Sequence, residues 1–145
     1  MAQHPESMPA HGLIEYLNPD HLHKNRAFTH VISVSGPVKT IYVGGQNAVD
    51  EQGNIVGKGD IKTQLQQVLT NLRQALAAAG AEPEHIIKWN VYLVQGQSVR
   101  EGFEAFQQFW GHHPNPPAII MVYVSGLANP DFLLEIEAVA VVPLA

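Results

Sequence analysis

Apolar positions along this chain change their period several times, and each change marks an element. The clearest helical stretch runs from Ile61 to Ala79, where Ile61, Leu65, Val68, Leu69, Leu72 and Leu76 return every three or four residues with Lys62, Gln66, Thr70 and Arg73 opposite them. Asp60 is the expected N-cap and Gly80 the expected stop, and a helix with one apolar face should lie on a sheet. Next, Ile87, Trp89, Val91 and Leu93 alternate with Lys88, Asn90 and Tyr92, the period of a strand with one buried face. A second helix opens on the capping-box sequence Ser98-Val99-Arg100-Glu101, carries Val99, Phe103, Phe106 and Trp110 as its stripe, and stops at Gly111.

The remaining elements read as strands. Short β-branched runs over 30–35 and 40–43 flank Gly36-Pro37, which predicts a hairpin, and Gly44-Gly45 ends its second strand. A turn over 50–54 returns the chain before Ile55-Val56. The last two strands, 118–124 and 132–142, are apolar on both sides: Ile119, Met121 and Tyr123 share one face while Ile120, Val122 and Val124 share the other. Two helices cover only one side of a sheet, so the other side needs cover, most simply from a second copy of the chain. Residues 1–12 show no periodicity and read as a mobile tail ahead of one domain over 13–145.

Composition narrows the function. At 145 residues with 46% apolar content there is material for one core, and no apolar run is long enough to span a bilayer, so no membrane role is expected. The N-terminus lacks the cationic start and apolar stretch of an export signal, which predicts a cytoplasmic protein. Without cysteine there is no disulfide, thiolate nucleophile or cysteine-held metal. The net charge of -5 and the scatter of the eight Lys and Arg residues argue against a nucleic-acid partner, whose affinity grows with each phosphate neutralised. The pairs His21/His23 and His112/His113 lack helical ligand spacing, so no metal is expected. Val56-Gly57-Lys58-Gly59-Asp60 lacks the full phosphate-loop spacing, and Asp60 would oppose an anion there.

The order of elements, with Gly44-Gly45-Gln46, Asn71-Leu72, Ala79-Gly80-Ala81 and a closing Leu134-Glu135-Ile136-Glu137-Ala138, resembles the Rid family, also called the YjgF or reactive-intermediate deaminase (RidA-like) family, from about Asn18 to Pro143. The resemblance implies an α+β, chorismate-mutase-like fold: a six-stranded mixed sheet with two helices packed on one face, assembled as a homotrimer. It further implies clefts between subunits that bind small carboxylates and, in active members, hydrolyse enamines or imines to release ammonia without metal or organic cofactor. In such members an arginine clamps the substrate carboxylate, while a glutamate and backbone groups place the attacking water.

Carried over position by position, the resemblance makes this chain a divergent member. The arginine belongs directly after a Pro-Ala pair, and here Pro117-Ala118 is followed by Ile119. Phe28 stands where a tyrosine is usual, Gly44 where a serine is frequent, and Arg100 where an asparagine is frequent, while Glu135 is kept. Glu135 is therefore the catalytic candidate, with Phe28, Gly44, Gly45, Arg100, Ile119 and Tyr123 as substrate-binding candidates. His30 enters because the resemblance places its segment beside the cleft. Glu135 and Glu137 share one strand face, either as water-placing groups or as ion-pair partners at a subunit rim. A charge-assisted contact to a carboxylate contributes about 1.5–3 kcal/mol, and Ile119 cannot supply it. Either another cation, Arg100 or Lys88, takes the task, or the ligand is more apolar than an imino acid. The readings left open are a deaminase with changed substrates and a non-catalytic trimer that binds a metabolite.

Overall fold

A computed structural model describes residues 7–145, apart from the side chains of Val99 and Glu101. Its elements are β1 (Leu13–Leu17), β2 (Val31–Ser35), β3 (Val38–Gln46), α1 (Ile61–Ala78), β4 (Ile86–Val94), α2 (Phe103–Trp110), β5 (Ala118–Val124) and β6 (Leu134–Pro143). Short 3-10 turns precede β4 at Pro83–His85 and α2 at Val99–Gly102. The fold is α+β. Four strands form one sheet in the order β3-β6-β4-β5, antiparallel except for β4 with β5, whose parallel pairing is made possible by the α2 crossover.

The sheet differs from the expected one. In place of six strands in one sheet there are four, and β1 with β2 forms a separate antiparallel ribbon in which Leu13 faces Ser35 and Leu17 faces Val31. The hairpin expected between β2 and β3 is absent because the Gly36-Pro37 link bonds elsewhere. Leu144 N–H donates to Pro37 O at 2.9 Å, and Gly12 N–H donates to Leu144 O at 3.1 Å. Gly36 sits at φ +78°, with the His11 carbonyl oxygen 2.5 Å from where a Cβ would be. Strand β1 lies in a stretch for which the sequence reading assigned no element. The expected tail falls partly outside the described residues, and its end at Gly12 is bonded to the fold.

α1 buries the predicted stripe against the sheet, together with one polar residue that periodicity did not mark. Gln64 is fully buried; its amide donates to Gly57 O at 3.1 Å and to Asp131 O at 2.8 Å and accepts from Leu133 N at 2.9 Å, tying two loops to the helix. Asp60 caps the helix, accepting from the Lys62 and Thr63 amides and from the Thr63 hydroxyl, and these bonds, the hydroxyl's first, lower its pKa.

α2 departs from the predicted stripe. Because its first turn is 3-10, the side chains are rotated relative to a continuous α-helix. Gly102 approaches Leu65 so closely that a Cβ would overlap it. Phe109 is then buried at 5% exposure, whereas Phe103 is 60% exposed. On the helix side of the sheet Trp89 stacks on Phe109 and meets Phe106 edge-on, beside Ile41, Val43, Ile136 and Ala138. On the other side Tyr42 and Ile120 remain 81% and 55% exposed.

Candidate functional site

Glu135 and Glu137 both lie on the open face, because β6 alternates them with buried Leu134, Ile136 and Ala138. Glu135 stands opposite Tyr92 of β4 and Glu137 opposite Asn90. The two carboxylates have different surroundings. Glu137 Oε1 accepts from Asn90 Nδ2 and from Tyr92 Oη, both at 2.8 Å. The Asn90 amide first and the Tyr92 hydroxyl second hold the Glu137 carboxyl below its ordinary pKa, while the bond to Glu137 and then burial raise that of Tyr92.

Glu135 instead lies across the backbone of β3, where the register with β6 shifts between Val43 and Gln46. A Cβ on Gly45 would stand 2.7 Å from Glu135 Oε2, whereas one on Gly44 would meet nothing within 4 Å. Neither glycine has a positive φ, so Gly45 serves close approach and not a turn. Among the described residues no donor is bonded to the Glu135 carboxylate. It is thus positioned by packing, with its oxygens available to accept from a water or ligand.

Ile119 lies on the other face. It stands opposite Trp89 on the helix side, whereas Glu135 stands opposite Tyr92 on the open side. It forms part of the wall of a cavity of about 550 Å³ between β5, α2 and the segment before β2, with Trp89, Phe103, Phe106, Trp110 and Met121 as neighbouring apolar walls. Such a volume falls in the range of small-molecule sites. Arg26 and His113 are the ionisable residues of the wall. The segment around Arg26 is fixed to the start of β5: the Thr29 hydroxyl donates to Pro116 O at 2.6 Å, and Thr29 N–H donates to Pro117 O at 3.2 Å.

The other candidates disperse. Phe28 packs edge-on against His23 and His30, and the His30 ring is bonded to His23 O at 2.7 Å. Arg100 is exposed on the 3-10 turn, Lys88 lies on the open face near Glu137, and Tyr123 is exposed on edge strand β5, so none is a wall of the Ile119 cavity. Among the described residues no three His, Asp or Glu side chains converge on a point, and no helix is long and apolar enough to cross a membrane. The sequence reading missed Arg26, which carries no periodic signal, and Asn90 and Tyr92. Their polar alternation on β4 becomes informative only once β4 is paired with β6.

The family model described as Endoribonuclease L-PSP matches residues 20–142. The chain belongs to this family, which is the Rid or YjgF family. A RutC family protein of Pyrococcus horikoshii is 37% identical over 100 residues, 69% of this chain and 77% of that protein. The human 2-iminobutanoate/2-iminopropanoate deaminase is 29% identical over 71% of this chain and 73% of its own length. In structure, the Rid protein YyfB of Yersinia pestis superposes with a TM-score of 0.77 at 31% identity, covering 88% of this chain and 97% of that one. Rid membership thus accounts for the α+β topology and includes imine deaminases among the relatives.

Proposed function

We propose that this Rid chain assembles as a homotrimer whose inter-subunit clefts bind a small metabolite and hydrolyse an enamine or imine, with substrates other than simple 2-imino acids. An enamine first tautomerises to its imine; water then adds to the C=N carbon, both hydrogens of that water pass to the nitrogen, which leaves as ammonia, and a carbonyl remains. Glu135 accepts a proton from that water. The observation that carries the reading is the opposition of Glu135 and Ile119 across one sheet. A site that uses both has to draw them from two chains, and the exposed Tyr42 and Ile120 on the open face give the second chain an apolar surface to cover. Membership in a family with deaminase relatives supports the chemistry.

The second reading, a trimer that binds a metabolite without turnover, is favoured by Ile119 itself. Losing an Arg–carboxylate contact costs about ten- to hundredfold in affinity. RNA cleavage is disfavoured by the acidic net charge and the dispersed Lys and Arg residues.

Short 2-imino acids generated in situ by an amino-acid oxidase test the proposal. The wild type should hydrolyse them hardly above background, and Ile119→Arg should gain activity. Robust wild-type turnover of these substrates would contradict the proposal. Turnover of other imines or enamines separates the deaminase from the binder.

A further inference from the structure

We propose that the Ile119 cavity receives the ring of an aromatic carboxylate and that Arg26 on its wall holds the carboxylate. This rests on the reading of that cavity as part of the ligand site.

The charge pattern gives the sign of the ligand. The wall holds no Asp or Glu. Of its two ionisable residues, His113 is already engaged, with Nδ1 3.1 Å from Glu84 Oε2. Arg26 has no carboxylate or carbonyl partner among the described residues. A guanidinium presents a rigid fork of donors that fits a carboxylate, and it keeps its charge at any working pH. The wall thus offers one open cation and no competing anion.

Position adds to charge. Arg26 lies on a segment anchored by both Thr29 hydrogen bonds to Pro116 and Pro117, three and two residues ahead of Ile119, and the Ala27 amide donates to Asn25 Oδ1 at 2.8 Å. Arg26 is thereby held on a loop that is pinned just ahead of β5, close in the fold to Ile119.

The walls give the ligand's body. Trp89, Phe106 and Trp110 supply aromatic surface, and Phe103 adds a phenyl ring that is 60% exposed in the chain alone. Ring ligands gain from offset or edge-on contacts with such walls beyond the area they bury. A cavity of about 550 Å³ has room for a ring beside the carboxylate, which a three- or four-carbon acid lacks.

Calorimetric titration separates the two parts of the proposal. The probes are 3-phenylpropionate, propionate and the neutral 3-phenylpropan-1-ol, tested on the full chain and on Arg26→Gln and Arg26→Lys. The wild type should bind 3-phenylpropionate at least tenfold tighter than either other probe. Arg26→Gln should lose about ten- to hundredfold toward the acid while keeping its affinity for the alcohol, which also reports that the variant is folded, and Arg26→Lys should recover part of the loss. Equal binding of acid and alcohol by the wild type, or an Arg26→Gln variant unchanged toward the acid, would overturn the role of Arg26 and leave the cavity as a ligand site. Binding of neither aromatic probe would overturn both.

Discussion

The two faces of the four-stranded sheet are built on different principles. On the helix side, Ile41, Trp89, Leu93, Ile136 and Ala138 interlock with α1 and α2 in a continuous apolar core that borders the Ile119 cavity. On the other side the same strands present Glu135, the bonded group Asn90–Tyr92–Glu137, and the exposed Tyr42 and Ile120. One face stabilises the chain by itself; the other is organised around carboxylates and leaves the apolar side chains of Tyr42 and Ile120 exposed. Adjacent residues of one strand can therefore serve stability and chemistry without interfering, because alternate side chains never share a side.

The contrast is broken most severely on the covered face. Ile136→Ala opens a cavity in the core and should cost about 2–5 kcal/mol in chemical denaturation, whereas Ile120→Asp should weaken assembly, read by light scattering, with the chain still folded. Gln64→Leu leaves Gly57 O, Asp131 O and Leu133 N without their partner and should cost about 2–4 kcal/mol. If its melting temperature matched the wild type, the buried amide would be dispensable.

The open face gives smaller, more specific effects. Gly45→Ala drives a methyl against the end of the flexible Glu135 side chain, which has to turn aside, and should cost about 1 kcal/mol, while Gly44→Ala should stay within about 0.5 kcal/mol. Equal effects at the two glycines would contradict the packing account of Glu135. The smallest effect is a pH shift. Since the bonds to Glu137 depress its pKa, their contribution to stability is complete above the unfolded carboxylate value and is lost as pH falls through the folded one. Asn90→Leu removes the largest cause, so in an NMR titration the Glu137 carboxyl should move up toward its ordinary pKa, and the acid-side loss of stability should become smaller and be complete at a higher pH.

What the sequence revealed follows the same division. α1 was readable to within a residue, from Asp60 to Gly80, because burial on one side imposes a strict period. The shared face of Glu135 and Glu137 was readable from strand alternation alone. The separate β1–β2 ribbon was not, because it depends on backbone bonds from Pro37 and Gly12 to Leu144, more than a hundred residues away in sequence. Phe103 was misplaced because a 3-10 turn shifts the helical phase, and Arg26 was invisible because a loop residue acquires its neighbours only from the fold. Ile119 was noticed as an absent cation, yet its place across the sheet from Glu135 needed the register of β4 with both β5 and β6.

The central claim is that the open face is completed by further copies of the chain, so that the site joins Glu135 of one chain to the Ile119 cavity of another. Light scattering at micromolar concentration tests it most directly. The account predicts a particle of three times the 15.9 kDa chain mass. A folded monomer that persists as concentration rises would contradict it.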